Sequence, residues 1–304
     1  MTSRLTHRQL EYLVAVGEAG HFGAAAKICN VSQPALSTQI QLLEDRLNVK
    51  LIDRAPAGAQ LTPVGETVVD LAHQILSTLK EIENVAHYAG ENLGGLIQLG
   101  VVATFGPYFL PAVLPRLQAH YPGLELHIQE APPPDLEQAV LDGSIDCALS
   151  RPPSQQLSLC YRELIEEELL LGIPNTHPLA KQRSIRPEML KGERMLTLGT
   201  AHGMNPKIRA FCASTGAELY EDYEGTSLDM VRLMVSIGMG MFLFPELYIA
   251  SEFAKEPRVV LRKLEGASVT RPIGLVWRDG SVRGPQYEQL LEECKAALAV
   301  IRAA

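Results

Sequence analysis

Residues 22–40 constrain the fold of this chain more than any other segment. The small-residue run 22–26 predicts a short helix, and the run from Ser32 to Pro34 predicts the start of another. Asn30 and the residue after it fit the turn between the two. Serine is a good N-cap, and proline is tolerated in a first helical turn because backbone donors there lack intrahelical partners. The segment therefore predicts a helix-turn-helix.

The second of these helices has a polar outer face. Its apolar residues follow the spacing of a buried stripe: Leu36, Ile40, Leu43 and Leu47. Amides and hydroxyls remain outside this stripe and can hydrogen-bond to base edges in the DNA major groove. Two neighbouring cations would contact phosphates. The candidate DNA-contacting residues are Ser32, Gln33, Pro34, Ser37, Thr38, Gln41, Lys50 and Arg54. An ordinary solvated face remains an alternative for Thr38 and Gln39.

The flanking segments extend this motif to residues 1–62. Apolar residues between Arg8 and Val16 predict a preceding helix, which Gly17 and Gly20 are expected to end. Short strands at 51–54 and 60–62, joined by an Ala-Pro-Ala-Gly turn, predict a wing. We expect an N-terminal all-α winged helix-turn-helix domain.

A long helix is predicted after this domain. Thr62 and Pro63 supply a cap and a first-turn proline. Apolar residues then recur every three or four positions: Val64, Val68, Leu71, Ile75, Leu79, Ile82 and Ala86. A second copy of the helix would bury this stripe, so residues 63–92 are interpreted as a dimerising linker helix. Packing against the chain's own downstream domain is the alternative.

The remainder, residues 93–304, alternates between strand and helix patterns, which predicts α/β lobes with a mainly parallel sheet. The predicted strands are 96–102, 124–129, 145–149, 168–173, 195–198, 239–244 and 272–277, and the predicted helices end near 120 or span 135–142, 206–215, 228–236 and 286–301. The chain is expected to cross between lobes near 164–168 and 268–272. Lobe I would comprise 93–165 and 270–304, lobe II would comprise 166–269, and two crossings imply a hinged cleft.

Charge and composition favour a cytoplasmic protein that contacts no membrane. The net charge is -8, but residues 1–62 carry six basic and five acidic side chains, so the excess acid lies beyond them. No signal pattern opens the chain, and the apolar stretch 233–244 is shorter than the roughly 20 residues that span a bilayer. The five cysteines lack CxxC spacing, and the histidines lack metal-ligand spacing. We expect no metal or cofactor.

Motifs for an enzyme are missing from the sequence. It has no G-x-S-x-G elbow, Walker loop or HExxH, and the glycines at 238 and 240 lack the third glycine of a dinucleotide fingerprint. A solute-binding protein would match the two lobes. Such a protein needs an export signal and has no use for residues 1–62.

Residues 6–65 resemble the LysR-type transcriptional regulators. The signature is carried by Phe22, Ala25, Ala26, Ser32, Gln33, Pro34, Ala35, Leu36, Ser37, Gln39, Ile40, Leu43 and Glu44. The resemblance covers essentially the whole chain and implies a two-lobed, periplasmic-binding-protein-like effector domain. It also implies a homodimer or homotetramer on an inverted-repeat operator in double-stranded DNA, with RNA polymerase as a further partner. Activation is favoured over repression.

Within that family the chain is similar to the OxyR, peroxide-sensing branch, on residues 106–111, 196–212 and 271–278. That resemblance implies a peroxide-reactive cysteine directly after a histidine, and a resolving cysteine nine residues later. His202 and Cys212 match, but Gly203 occupies the position of the reactive thiol. Because glycine has no sulfur to oxidise, the usual disulfide switch cannot form. Thr104 matches a peroxide-holding threonine, whereas Pro133 replaces a second one.

Two hypotheses for the cleft follow. In the first, it binds a small-molecule effector, and Thr104, at a strand-to-helix turn, favours an anion. The candidate effector-binding residues are Thr104, Phe105, Pro133, His202, Gly203, Thr226 and Ser227. Thr104 and Ser227 also suit simple helix caps. In the second, Cys212, the redox candidate, or another thiol still senses oxidant through a non-standard pairing and responds to oxidative stress. The apolar surroundings of Cys212 beside Phe211 favour an inert core thiol.

Overall fold

The computed structural model describes residues 5–55, 58–87, 93–154, 158–199, 203–225, 227–266 and 268–303. Two compact units make up the chain. The first contains residues 1–89, and the second contains almost all of residues 90–304. Nothing in the described ranges is a helix both long and apolar enough to cross a membrane.

The first unit is a helical domain with a two-stranded wing. Its elements are α1 (His7–Ala19), α2 (Phe22–Ile28), α3 (Gln33–Leu47), β1 (Ile52–Ala55), β2 (Gly58–Leu61) and α4 (Pro63–His87). The strands pair antiparallel, and Ala55 already pairs with Gly58, so the loop is two residues shorter than the predicted Ala-Pro-Ala-Gly turn.

Helix α1 does not end at Gly17, and the prediction that it would is wrong. The helix continues to Gly20, whose φ of 63° provides a left-handed C-cap. A Cβ at Gly17 would lie 2.9 Å from Leu61 Cδ1. Gly17 therefore lets the wing approach α1 closely, which the sequence pattern alone does not reveal.

Helix α3 forms as the sequence predicts. Ser32 Oγ accepts a hydrogen bond from the Ala35 N–H at 3.3 Å. Leu36, Ile40 and Leu43 are fully buried against the other helices, and Leu47 is partly buried at the edge of that core. The apolar stripe thus fixes which face of α3 remains outside.

Helix α4 has two apolar faces. Thr62 Oγ1 caps its start by accepting from the Gly65 N–H at 3.0 Å. One face, including Val68 and Ala72, packs into the core of the first unit. The other face is exposed and carries Val64, Leu71, Ile75, Leu79 and Ile82. Val68 therefore belongs to the core and not to the exposed stripe, and residues 88–92 of the predicted linker lie outside the described residues.

The second unit is α/β. Its strands are β3 (Gly95–Val101), β4 (Leu124–Glu130), β5 (Cys147–Ser150), β6 (Leu159–Pro174), β7 (Arg194–Leu198), β8 (Glu218–Gly225), β9 (Phe242–Pro245), β10 (Val259–Arg262) and β11 (Thr270–Arg278). Its α-helices are α5 (Gly106–His120), α6 (Pro133–Asp142), α7 (Asn205–Thr215), α8 (Leu228–Ser236), α9 (Glu246–Glu252) and α10 (Gly284–Ala303).

The large sheet is mixed, which corrects the prediction of a mainly parallel one. Its order is β10-β6-β11-β5-β3-β4, and β9 also pairs with β6. Among the strands that the structure describes in this sheet, only β3 with β4 and β3 with β5 are parallel pairs. The strands β9, β10 and β11 follow β6 in the chain, and each pairs with it antiparallel.

Strand β6 is shared by the two lobes. Its first part, to Glu168, pairs with β11, and from Leu169 onward it pairs with β9 and β10. The predicted strand 168–173 is thus only the second part of a longer strand. The predicted lobe boundaries, 165/166 and 269/270, lie beside this change of partner.

The sequence prediction missed β8, β10 and α9. Strand β8 carries four acidic residues, a residue type that is depleted in strands. It forms with β7 alone, as a separate parallel pair. Tertiary pairing therefore overrides local propensity there.

Candidate functional site

The outer face of α3 presents most of the predicted DNA-contacting residues to solvent. Ser32, Gln33, Pro34, Thr38 and Gln41 are exposed, and Ser37 is half-buried. Thr38 Oγ1 donates to the Pro34 carbonyl at 2.9 Å, so its hydroxyl oxygen remains available as an acceptor. The exposed row therefore offers both donors and acceptors along one side of a short helix.

Gln39 is not part of this row. Its Oε1 accepts a hydrogen bond from Gln9 Nε2 at 3.2 Å, and Gln9 is almost fully buried. Arg46 Nη1 donates to Gln9 Oε1 at 3.0 Å. These side chains fix the rotation of α3 against α1, a role that the sequence prediction missed.

Glu44 ties α3 to the first strand of the wing. Its Oε1 accepts from the Leu51 N–H at 2.9 Å and the Ile52 N–H at 3.2 Å, and its Oε2 accepts from Lys50 Nζ at 2.8 Å. Burial raises the pKa of Glu44, but the Lys50 ammonium and the two N–H donors outweigh it and lower that pKa below its usual value. Lys50 remains largely exposed. The Arg54 side chain lies outside what the structure describes.

A cavity of about 240 Å³ lies in the second unit and is lined from both predicted lobes. Thr104, Pro133 and Arg151 come from the first lobe, whereas Gly203 and Lys207 come from the second. A neighbouring cavity of about 210 Å³ shares the first two of these residues and Gly203. The structure thus brings together three of the predicted effector-binding residues.

Arg271 organises the wall of this cavity. Its Nη1 donates to Thr104 Oγ1 at 2.7 Å and its Nη2 to the Thr104 carbonyl at 2.8 Å. Its Nε pairs with Glu167 Oε2 at 2.7 Å. Thr104 is therefore oriented by a guanidinium and does not cap α5, whose N-cap is Phe105.

Gly203 faces the opposite lobe across the cavity. A Cβ at this position would lie 3.1 Å from Pro133 Cγ and 3.5 Å from Arg151 Cδ. Any side chain there would enter the cavity. Glycine thus keeps the space open.

Lys207 adds a second cation to the lining. Its Nζ donates to the Thr270 carbonyl. Burial, with a further contribution from Arg271, lowers the pKa of Lys207, while Glu166 opposes the shift. A partly desolvated ammonium thus lies beside the cavity.

The other predicted effector residues do not line either cavity. Phe105 is fully buried and stacks on Phe109 at 5.0 Å between ring centroids. Ser227 is an exposed N-cap that accepts from the Met230 N–H at 3.3 Å. His202 and Thr226 lie outside the described residues. The sequence prediction missed Arg151, Lys207, Arg271 and Glu167. Glu167 is the middle one of three consecutive glutamates, so its sequence neighbours gave no signal that it is buried.

Cys212, the redox candidate, lies in the core of the second lobe. It is 6% exposed, and burial raises the pKa of its thiol. All five cysteines are free thiols. A thiol with a raised pKa is mostly protonated at neutral pH, and the thiolate is the reactive form.

Both parts of the chain match known families. The family model for the "LysR substrate binding domain" matches residues 90–299, and that for the "Bacterial regulatory helix-turn-helix protein, lysR family" matches residues 7–66.

Relatives match along nearly the whole chain. The DNA-binding transcriptional dual regulator OxyR of Escherichia coli is 35% identical over 291 residues, which cover 96% of this chain and 95% of that protein. The hydrogen peroxide-inducible genes activator of Haemophilus influenzae is 33% identical, covering 93% of this chain and 94% of that protein. A full-length OxyR variant from Pseudomonas aeruginosa has a TM-score of 0.77 at 28% identity, covering 96% of this chain and 98% of that chain.

The helix-turn-helix and the two-lobed domain therefore follow one another in a single chain, as they do in these relatives. The protein belongs to the LysR family of transcriptional regulators.

Proposed function

We propose that this regulator binds an inverted-repeat operator through α3 and responds to a small effector in the cavity of its second unit. The observation that carries the proposal is the cavity itself, which both lobes line and which Gly203 leaves open. An effector that binds one arrangement of the lobes more tightly shifts the population toward it. That shift changes the oligomer and the spacing of its α3 helices on DNA, with activation as the favoured outcome.

The proposed DNA contacts divide by chemistry. Gln33, Ser37 and Gln41 read base edges, since amides pair with adenine and hydroxyls take either role. The hydroxyls of Ser32, at the N-cap of α3, and of Thr38, in its first half, approach phosphates, and Pro34 lies between them in the first turn without a donor of its own. Lys50 and Arg54 add phosphate contacts that position the domain without selecting sequence.

The exposed stripe of α4 supports a dimer. Leu71, Ile75, Leu79 and Ile82 recur at intervals of three or four residues along one side of the helix and face solvent in the single chain. In this proposal residues 1–62 bind DNA, 63–92 dimerise and 93–304 bind effector. Two such dimers form a tetramer that also contacts RNA polymerase. The chromosome lies in the cytoplasm, so we place the protein there.

Response to peroxide is the second candidate, because relatives at 35% and 33% identity are named as peroxide-inducible gene activators or as OxyR. Gly203 and the buried Cys212 weigh against the usual thiol pair. A peroxide response in this chain would need another arrangement of thiols.

The test is selection of genomic fragments by the purified full-length protein. We expect a bound fragment with two inverted half-sites, and an affinity that falls as salt rises because phosphate contacts release counterions. Repeating the selection with metabolites and with peroxide identifies the signal. Absence of any salt-sensitive preference for a fragment, under every condition, would overturn the proposal.

A further inference from the structure

We propose that the cavity over Gly203 selects a small organic anion, with a carboxylate or phosphate head held by Lys207 and Arg151. This inference rests on the proposed function, in which the cavity receives an effector. It adds the chemical class of that effector and the residues that recognise it.

The described lining of the cavity is rich in positive charge. Three cations are found among the described residues that line the cavity: Arg151, Lys207 and Arg271. The charge of Arg271 is already balanced, because Glu167 pairs with it at 2.7 Å. Within the described part of the chain, no carboxylate lies within ion-pair distance of the other two cations.

The remaining contacts of these two cations are with neutral groups. Arg151 Nη1 donates to the Pro152 carbonyl at 3.0 Å, and Nη2 donates to Ser154 Oγ at 3.2 Å. Lys207 Nζ donates to the Thr270 carbonyl. An ammonium has three donor hydrogens and a guanidinium five, so donors remain for a ligand.

The carboxylates near Arg151 and Lys207 act on them indirectly. The Glu137 carboxylate accepts hydrogen bonds from the Ser154 N–H and hydroxyl, and the Ser154 oxygen in turn accepts from Arg151. Glu166 acts on Lys207 electrostatically, and Glu130 lines only the neighbouring cavity. The cavity lining thus keeps positive charge that a bound anion would balance.

The Lys207 ammonium is partly desolvated. Burial lowers the pKa of Lys207, which means that its charged form loses hydration without gaining a close counter-ion. An anion beside Nζ would restore that interaction through charge-assisted hydrogen bonds.

The cavity is small, and much of its lining is apolar. The cavity of about 240 Å³ is smaller than the roughly 300–1,000 Å³ of pockets that hold drug-sized ligands. Apart from the three cations, Thr104 and Gly203, the described residues of the lining are apolar: Val102, Pro133, Pro152, Pro272 and Ile273. A charged head on a short apolar body fits this lining better than a bare inorganic ion or a sugar.

Gly203 leaves room in the cavity that a side chain would occupy. Its φ is not positive, so an L-residue can adopt the same backbone. A Cβ would still lie 3.1 Å from Pro133 Cγ and beside the Arg151 side chain. Gly203→Val therefore fills the space without changing any charge.

The experiment uses the full-length protein and calorimetric titration with three matched sets of probes. These are carboxylates of three to six carbons, the primary amides of the same acids, and methyl and ethyl phosphate. We expect one set of anions to bind at one site per chain and the amides to bind at least about tenfold more weakly, since charge-assisted hydrogen bonds are the stronger ones. The comparison of carboxylates with phosphates identifies the head group.

Variants locate the site. Lys207→Gln and Arg151→Gln should each weaken the anion about tenfold, and Gly203→Val should abolish its binding. Lys207→Arg retains the charge and should bind within about threefold of the parent. Lys181→Gln removes an exposed cation of the same lobe and should change nothing. The circular dichroism melt of each variant shows that it is folded.

Three results would overturn the inference: no anion binds, the amides bind as well as the acids, or the cavity variants bind like the parent. Operator binding without any probe is measured in parallel. A protein that prefers an operator but binds no anion disproves this inference alone. Operator binding is then repeated with each probe, and a protein that prefers no operator under any of these conditions disproves the proposed function, while the calorimetry still reports on the anion site.

Discussion

Arg271 and Glu167 lie directly opposite one another on neighbouring antiparallel strands and form a buried ion pair, with 2.7 Å between Nε and Oε2. The second oxygen of Glu167 accepts from the Leu247 N–H at 3.1 Å, at the start of α9. The guanidinium also holds Thr104 on both its hydroxyl and its carbonyl. One pair thus connects β6, β11, α9 and the turn before α5 at the place where β6 changes partners.

Glu167→Ala should destabilise the second unit by about 3–5 kcal/mol, because it leaves Arg271 buried without a counter-ion. Urea unfolding followed by fluorescence measures this loss, since Trp277 is the single tryptophan and is buried in that unit. Replacing both partners by methionine should recover much of the loss. The control is Glu288→Gln, whose partner Arg162 is exposed, and it should cost at most about 1 kcal/mol. Equal losses for the two single variants would contradict the prediction.

Acid should loosen the wing of the first unit through Glu44. The pKa of Glu44 is lowered in the folded chain, so its stabilising contribution is present above the ordinary value of 4.5 and is lost as pH falls through the lower, folded-state pKa. Hydrogen exchange of the amides of Leu51 and Ile52 reports this loss directly.

Glu44→Gln should remove that pH dependence and cost about 1–3 kcal/mol at neutral pH. Asp45→Asn is the matched control. The Asp45 carboxylate adjoins Glu44 in the chain but is exposed, so this substitution should leave the exchange of both amides unchanged. If exchange at Leu51 keeps its acid dependence in Glu44→Gln, another group is responsible.

Gln33→Ala and Ser37→Ala should each weaken specific operator binding by roughly 1–3 kcal/mol and leave binding to random DNA unchanged. The reason is that base-edge contacts carry sequence preference, whereas phosphate contacts do not. Gel-shift titration against both DNAs measures the difference. Gln118→Ala removes an exposed amide from α5 and serves as the control. Unchanged discrimination in both α3 variants would exclude this face as the reading surface.

Leu71→Asp combined with Ile75→Asp should dissociate the oligomer. Both side chains are about half exposed in the single chain, so two carboxylates there cost little in the monomer but are buried together in a dimer. Sedimentation velocity at several concentrations reports the change. Gln74→Asp places a carboxylate on the same helix outside the stripe and should leave the oligomer intact. An intact oligomer in the double variant would refute the role of α4.

Peroxide should not produce a disulfide at Cys212. Its thiol is buried with a raised pKa, and Gly203 offers no sulfur partner. Peptide mapping without reductant after peroxide treatment checks this, and the urea-unfolded protein, in which all five thiols are accessible, is the positive control. A peptide linked through Cys212 from the folded protein would favour the thiol-sensing hypothesis.

The helix-turn-helix could be predicted from sequence because its determinants are local. The Ser32 cap lies three residues from its donor, and the stripe of Leu36, Ile40 and Leu43 repeats within one helix. The long helix after Thr62 is predictable for the same reason. The boundary predicted at Gly17 was wrong because this glycine lies where Leu61, far along the chain, approaches the helix, and the helix ends only at Gly20.

The α/β class, the order of most elements and the family all follow from the sequence by itself, because periodicity and caps act over a few residues. The cavity does not. Glu167 and Arg271 are 104 residues apart, and Gly203 meets Pro133 and Arg151 only after the lobes have formed around β6. Only the tertiary structure decided which charges are balanced and which face the open space, because such pairings depend on strand register and lobe packing and not on neighbouring residues.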